Sequence, residues 1–172
     1  MLHYDKSTGV FTWLVKPNRR IKVGSVAGSI TRFGYVKIKI NVIDYKAHRL
    51  AWLYVNGQWP EKGIDHKDTI KTNNWIENLR EADQPQNKAN CGAHKNNSSG
   101  YKGVCLHKPS GKWYARIRYE GKRVSLGLYD TPEEAFDAYC AESRDKHGEF
   151  SNTASVELIP GCAIDVVKTE AA

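Results

Sequence analysis

A chain of 172 residues with 40% hydrophobic side chains, among them 5 Trp, 9 Tyr and 4 Phe, is long enough for one domain or two small ones, and this composition excludes a disordered chain. It has no run of about eighteen apolar residues and no apolar leader, so we expect neither a membrane-spanning helix nor secretion. The net charge of +7 is uneven, because residues 86–129 carry nine basic side chains against one acidic, whereas residues 130–172 carry three against ten. We therefore expect a cytoplasmic protein whose central segment either binds nucleic acid or presents a solvated basic surface.

The first predicted part, residues 1–58, combines short strands with one helix. Residues 10–13 and 35–40 show the apolar patterns of strands, and the second alternates apolar with basic side chains. Apolar positions within residues 47–55 recur at helical spacing, and Asn56 followed by Gly57 is typical of a helix end. We assign His48 to the packing of this helix.

The second predicted part, residues 59–90, is polar and rich in Asn and Asp. With so few core-forming side chains, it must fold around something else or against its neighbour. Residues 83–86 indicate a helix start, because Asp83 can cap the helix while Pro85 and Gln86 occupy its first turn. The Gly-, Asn- and Ser-containing residues 91–99 that follow predict a linker.

The third predicted part, residues 100–152, shows three strands and one helix. Strands are expected at residues 101–107, 112–119 and 123–129, separated by hairpin-turn residues. Residues 131–134 form a capping box, and the helix that they start should end at Gly148. We expect a three-stranded antiparallel sheet packed on this helix, and we assign no role to the tail, residues 153–172.

Alternation along the middle strand of this sheet separates two faces. Four polar or basic side chains share one face: Lys112, Tyr114, Arg116 and Arg118. Four mainly apolar ones share the other, which should pack on the helix: Trp113, Ala115, Ile117 and Tyr119. A row of cationic side chains is what a sheet facing DNA needs, so we favour DNA contact over the alternative of a solvated basic face.

The residues that could support chemistry lie in the second part. Asp65 and His66 are adjacent, Asn78 follows Asp65 by thirteen residues, and Asn87 follows Asn78 by nine. An isolated Asp-His pair is commonly an exposed pair without a function, and Asn-rich loops are commonly turns. The prediction of a catalytic site therefore depends on the spacing of all four residues.

This spacing resembles the H-N-H nuclease motif, here in an H-N-N form, and the chain is similar to phage-type H-N-H homing endonucleases. The similarity to these endonucleases lies in residues 47–52, 59–60, 64–66 and 77–82. The third part is similar to the Apetala/ethylene-response-factor-type DNA-binding domain at residues 99–104, 111–113, 126–127, 131–135 and 138–139. Such endonucleases typically combine these two modules. The resemblance implies an α+β chain with a ββα-metal (H-N-H) nuclease domain and the sheet-and-helix module.

Two segments between the motif residues depart from the usual pattern. The family commonly has Ile-Asn-Gly-Asp after Asp-His, whereas this chain has Lys67, Asp68, Thr69 and Ile70, without the glycine. The usual Asp-Asn-Arg is replaced by Asn73, Asn74 and Trp75. The spacings are intact, so these changes bear on the loop's conformation and on the level of activity.

The chemistry of phosphodiester cleavage suits the four motif residues. A hard divalent cation that keeps several waters needs only one or two protein oxygens, so Asp65 and the amide of Asn87 would suffice for Mg²⁺, with Mn²⁺ as the alternative. His66 lies next to Asp65 on an extended segment and faces the other way, where it can act as general base. Asn78, an uncharged amide, suits bracing the loop or orienting His66.

We therefore predict an endonuclease that cuts double-stranded DNA by metal-assisted hydrolysis. The resemblance implies a homing enzyme of a phage or mobile element that acts in the bacterial cytoplasm and leaves 5′-phosphate and 3′-hydroxyl ends. A DNA-binding regulator with a decayed nuclease segment and an RNA-binding or RNA-cutting protein are the alternatives. The oligomeric state stays open between monomer and homodimer. The resemblance implies that the basic sheet enters the major groove of DNA. The predicted DNA-binding residues are Lys102, Lys112, Tyr114, Arg116, Arg118, Lys122 and Arg123.

Overall fold

The computed structural model of the chain describes residues 1–94 and 96–153, and divides the chain into two units. Unit 1 is Met1–Asn87, and unit 2 begins at Lys88. Lys95 in the predicted linker and residues 154–172 of the predicted tail lie outside the described residues. In the described ranges, no helix combines the length and the apolar character needed to cross a membrane.

Unit 1 contains small antiparallel sheets: β1 (Leu2–Tyr4) pairs with β2 (Phe11–Trp13), β4 (Val36–Ile40) lies between β3 (Ser29–Ile30) and β5 (Ile43–Lys46), and β6 (Gly63–His66) pairs with β7 (Leu79–Ala82). Helix α1 (Ala47–Asn56) follows β5, a 3₁₀ turn (Ile76–Asn78) precedes β7, and α2 (Gln84–Asn90) follows β7 and continues three residues past the end of unit 1. The predicted strands at 10–13 and 35–40 and the helix at 47–55 are confirmed. Gly57 ends α1 in the left-handed conformation, with a backbone φ of 73°.

One core holds unit 1 together, and the polar second segment folds against it. Tyr4, Ile38 and Ala51 are at most 2% exposed, and they belong to the same cluster as Ile64 and Leu79 of the β6–β7 hairpin. The hairpin thus depends on a core built by the preceding residues, which explains how a segment with few apolar side chains folds.

Unit 2 has the predicted sheet and helix. Strand β9 (Lys112–Tyr119) lies between β8 (Val104–His107) and β10 (Lys122–Tyr129), all antiparallel, and α3 (Pro132–His147) packs on the sheet. The capping box at the start of α3 is confirmed, and Gly148 ends it. Strand β8 begins three residues later than predicted, because Gly103 has a φ of 76° and its backbone lies against the ring of Tyr139, where an added Cβ would be 2.2 Å from Cδ2.

Candidate active site and nucleic-acid interface

The β6–β7 hairpin and α2 position the four predicted motif residues. The antiparallel register places Asp65 opposite Arg80 and His66 opposite Leu79. Asp83 links β7 directly to α2, and its Oδ1 accepts a 2.8 Å hydrogen bond from the backbone N of Gln86. The backbone N of Asp83 donates in return to Oε1 of Gln86 at 2.8 Å. The predicted helix start is therefore confirmed, and it holds Asn87 on the first turns of α2.

His66 is a buried imidazole at the end of β6. The residue is 4% exposed, and its Nε2 lies 3.3 Å from Oδ1 of Asn74, which is also buried. The backbone oxygen of Asn74 in turn accepts a 2.7 Å hydrogen bond from the hydroxyl of Tyr4. Burial lowers the pKa of His66 below its usual 6.5, and the hydrogen bond with Asn74 opposes this shift. The imidazole is therefore neutral near pH 7, the state in which it can accept a proton.

His48, at the start of α1, packs against His66. The two rings meet edge to face with their centroids 5.1 Å apart, and the ring of Tyr35 lies 5.3 Å from that of His48. In the described part of the chain, Nδ1 of His48 is buried without a hydrogen-bond partner. Burial and the neighbouring His66 lower the pKa of His48 to about 3. His48 therefore packs within the fold, as expected, and it also contacts His66, the candidate general base.

Asp65 faces away from His66 and is held by an arginine. Its Oδ2 accepts hydrogen bonds from Arg80 at 2.9 Å from Nη2 and 3.0 Å from Nε, and both side chains are almost buried. Gly63 lies two residues earlier on the same face of β6. A Cβ at Gly63 would lie 3.4 Å from Nδ2 of Asn87, so the Asn87 amide packs on the face that carries Asp65.

Asn78 braces the loop between His66 and β7. Its Oδ1 accepts a 3.0 Å hydrogen bond from the backbone N of Asp68, and its Nδ2 donates 2.9 Å hydrogen bonds to Oδ1 of Asp68 and to the backbone oxygen of Asn73. Its backbone oxygen accepts from the N of Lys67 at 2.8 Å. These bonds close the loop that positions Asn74 against His66.

The sheet of unit 2 has the two faces expected from alternation. Ala115 and Ile117 are buried against α3, while Arg116 and Arg118 are exposed. Arg118 lies directly opposite Arg123 of β10, so two guanidinium groups share one face. Like charges directly opposite each other destabilise a sheet, which indicates that this face is suited to an anionic partner.

The other predicted DNA-binding residues differ in their surroundings. Lys112 forms a 2.9 Å ion pair with Asp130, and both side chains are exposed. Lys122 lies opposite Tyr119, so it belongs to the alternate face from Arg123. The ammonium of Lys102 donates to the backbone oxygen of Ala89, and burial lowers its pKa to about 8. The exposed cationic row of the sheet therefore centres on Arg116, Arg118 and Arg123, with Tyr114 half-buried beside them.

Two regions of the chain match known protein families, one in the β6–β7 segment and one in the sheet-and-helix module. Residues 45–89 match a family model described as HNH endonuclease, and residues 99–146 match the AP2 domain. "Protein 3.8" of Escherichia phage T7 is 35% identical over 112 residues, which cover 62% of this chain and 91% of that protein. The chain belongs to the same family as this phage protein, and it contains an HNH endonuclease domain and an AP2 domain. No solved structure is a significant match. The HNH and AP2 domains both point to DNA as the partner.

HNH nucleases generally use a divalent metal, and the donor set of this HNH domain fits a hard cation. Within residues 1–94 and 96–153, no group of three or more His, Cys, Asp or Glu side chains is placed to hold a metal. The carboxylate of Asp65 on β6 and the amide of Asn87 on α2, which packs on the same face of β6, suit Mg²⁺, which keeps most of its waters, better than zinc, which takes three or four protein ligands. The Arg80 guanidinium already engages Oδ2 of Asp65, so a cation would share that carboxylate with it.

Three contacts of this HNH domain could not be predicted from the sequence. Asn74 departs from the family pattern, yet its side chain lies against His66. Arg80 becomes visible only when the hairpin register is known, because that register sets it opposite Asp65. Tyr35 is distant in sequence, yet its ring centroid is 6.1 Å from that of His66.

Thr69 occupies the position of the missing family glycine, and its backbone φ is +64°. A β-branched residue in this region is strained, whereas glycine adopts it freely. We expect Thr69→Gly to raise the free energy of unfolding by about 1 kcal/mol, measured by urea denaturation. The control Thr72→Gly, at an exposed residue of the same loop without a positive φ, should lower the free energy of unfolding. A less stable Thr69→Gly protein would show that the loop is not strained at this residue.

The buried histidines predict an acid sensitivity of the HNH domain. The unfolded chain takes up a proton at His48 below about pH 6.5, whereas the folded chain does so only near its pKa of about 3. Stability should therefore fall as the pH drops through this window, by up to about 1.4 kcal/mol per pH unit. The loss between about pH 7 and pH 5 should shrink in His48→Gln and persist in a control, His3→Gln, at an exposed histidine. An unchanged loss in His48→Gln would contradict the assignment.

Proposed function

We propose that this protein is a DNA endonuclease that hydrolyses phosphodiester bonds with the help of a divalent metal ion. The observation that carries the proposal is the arrangement on β6, where a neutral, buried His66 and the carboxylate of Asp65 lie on opposite faces of one strand inside a matched HNH domain. A base and an anionic oxygen ligand fixed in adjacent positions are what metal-assisted attack of water on a phosphodiester requires.

In this proposal each motif residue has one task. His66 accepts a proton from the attacking water, and Asn74 fixes the orientation of its ring through the 3.3 Å contact at Nε2. Asn78 keeps the intervening loop closed. Asp65 and Asn87 would hold the cation, Mg²⁺ or alternatively Mn²⁺, which when bound stabilises the charge that develops at the phosphate.

The parts of the chain divide the work. Residues 1–58 support the cutting segment, residues 59–90 carry the chemistry, and residues 91–99 join it to residues 100–152, which bind duplex DNA. The similarity to "Protein 3.8" of phage T7 supports an origin in a phage or mobile element. We infer a site-specific homing endonuclease that acts in the cytoplasm of the bacterial host, with specificity read by the AP2-domain sheet.

Sequencing the DNA ends produced on the genome of the natural host tests this proposal. A site-specific nuclease should create new ends at recurring positions, with 5′-phosphate and 3′-hydroxyl termini. Ends scattered at random would contradict the proposed homing function but would still support nuclease activity. The absence of new ends at any protein concentration would contradict the nuclease itself.

A DNA-binding regulator with a decayed nuclease segment is the second candidate. The observation that favours it is the ion pair between Asp65 and Arg80, which occupies the carboxylate proposed to hold the cation. A regulator would bind its site through unit 2 and leave the bound DNA intact in the presence of Mg²⁺ or Mn²⁺. The same sequencing experiment therefore separates the two candidates.

The exposed arginines of β9 should account for DNA affinity. We expect Arg116→Ala and Arg118→Ala each to weaken binding at the cognate site by about 1–3 kcal/mol where the side chain contacts a base. Where it contacts only phosphate, the salt dependence of log K should fall by about one unit on every sequence. Binding is measured by fluorescence anisotropy, with Arg144→Ala on α3 as a control for an exposed arginine away from the sheet. Equal losses in Arg144→Ala would show that the sheet is not the DNA-binding face.

A further inference from the structure

A groove on unit 1 lies outside the motif residues discussed above. Phe33, Tyr35 and Lys71 contribute to its walls together with side chains of the β4–β5 hairpin, and it encloses about 500 Å³. This volume falls in the range of sites that hold a small ligand or a fragment of a polymer. The ring of Phe33 is 62% exposed, with the guanidinium of Arg32 4.5 Å from its centroid.

The groove is positively charged. The ammonium groups of Lys46 and Lys71 lie 5.1 Å and 4.9 Å from the centroid of the Tyr35 ring. In the parts of the chain that the structure describes, neither has a carboxylate partner, and Lys71 donates only to the backbone oxygen of Phe33, at 3.1 Å. Asp44 is the single acid among the lining residues, and a 2.9 Å ion pair with Lys37 neutralises it. Lys46 and Lys71 therefore leave two positive charges available to a ligand.

The inner wall of the groove is shared with the candidate active site. The Tyr35 ring that lies beneath the two lysines has its centroid 6.1 Å from the ring of His66. A DNA strand whose scissile phosphate lies at His66 would therefore have Lys46 and Lys71 within reach of a neighbouring phosphate. Because the two ammonium groups lie over the ring, the groove offers positive charge where a stacked base would need an open aromatic face. These observations favour backbone phosphate as the ligand over an unpaired base.

We propose that this groove binds the backbone phosphate next to the scissile one on the strand that is cut, with Lys46 and Lys71 as its ligands. The inference rests on the proposed nuclease function, since only a substrate at His66 brings DNA to this place. It gives the HNH domain a DNA contact of its own that is independent of sequence, in addition to the sheet of unit 2. Phosphate contacts position a duplex without reading its bases, so the groove aligns the strand for attack.

The test measures binding without cleavage, in the full chain carrying His66→Ala. Affinity for a labelled duplex of arbitrary sequence is followed against salt concentration with and without Lys46→Gln/Lys71→Gln. Because each phosphate contact contributes about 0.9 to the slope of log K against log salt, the slope should fall by nearly two. The matched control Lys6→Gln/Lys16→Gln removes the same charge from exposed positions outside the groove and should leave the slope unchanged. An unchanged slope in the groove variant, or an equal fall in the control, would overturn the proposal.

A second variant should strengthen DNA binding, an effect that a folding defect would not produce. Asp44→Asn removes the acid of the groove and releases Lys37, so it should tighten binding to the same duplex severalfold. Weaker or unchanged binding in Asp44→Asn would count against the groove. If the wild-type chain cuts no DNA but both variants behave as expected, the nuclease proposal fails and the groove is a DNA-phosphate site with no scissile phosphate beside it. If the wild type cuts and neither variant responds, the phosphate site alone fails.

Discussion

Replacing His66 with alanine should reduce DNA cleavage by about a hundredfold or more while DNA binding stays within a few-fold of wild type. The reason is that His66 is proposed to act in catalysis, whereas other residues are proposed to bind the DNA. His66 is buried at the end of β6, carries no charge near neutral pH, and contributes proton transfer rather than phosphate attraction. Cleavage is measured under single-turnover conditions with the protein in excess, so that altered binding does not enter the rate.

The matched control for His66 is His3→Ala, at an exposed histidine of the same unit. It should cleave at the wild-type rate. Thermal unfolding of both variants establishes that His66→Ala is folded at the assay temperature. If folded His66→Ala retained activity within a few-fold of wild type, His66 could not be the general base.

Asp65→Ala should have the second largest effect, acting on both stability and catalysis. It removes the charge that would hold the cation, and it leaves the guanidinium of Arg80 almost buried without its 2.9 Å partner. Breaking a buried ion pair on one side costs about 3–5 kcal/mol, so the variant should unfold at clearly lower urea concentration. Metal-dependent cleavage should fall further than in Asn87→Ala, which removes a neutral ligand.

A double variant separates the two roles of Asp65. Removing both charges, as in Asp65→Ala/Arg80→Met, should restore much of the lost stability, because a buried pair can be replaced by apolar side chains at little cost. Cleavage should remain absent, since Arg80→Met supplies no oxygen ligand. Recovery of cleavage together with stability would show that Asp65 acts only by anchoring Arg80.

Local signals in the sequence predicted unit 2 almost completely. Its turns are short, its strands are adjacent along the chain, and Thr131 and Glu134 form the capping box that starts α3. Alternation alone was enough to separate buried Ile117 from exposed Arg116. Such patterns are read within a window of a few residues, and the tertiary fold of unit 2 adds little to them.

Unit 1 was harder to predict because its contacts are distant in sequence. The strand β1 and the hairpin β6–β7 are short and depend on a shared core that includes Tyr4 and Leu79. The four motif residues were found from spacing and family resemblance. Their partners were not, since Asn74 reaches His66 only through the folded loop, and Tyr35 comes from the connection between β3 and β4.

The central claim is that this chain cuts DNA by metal-assisted hydrolysis at the His66 site. Its most direct test is the conversion of supercoiled plasmid to nicked or linear DNA by the purified wild-type chain, with Mg²⁺ or with excess EDTA. The account predicts conversion that requires the metal and stops in EDTA, under conditions where the protein stays bound to the plasmid. Conversion that continues undiminished in EDTA, or bound plasmid that stays supercoiled with Mg²⁺ and with Mn²⁺, would contradict it.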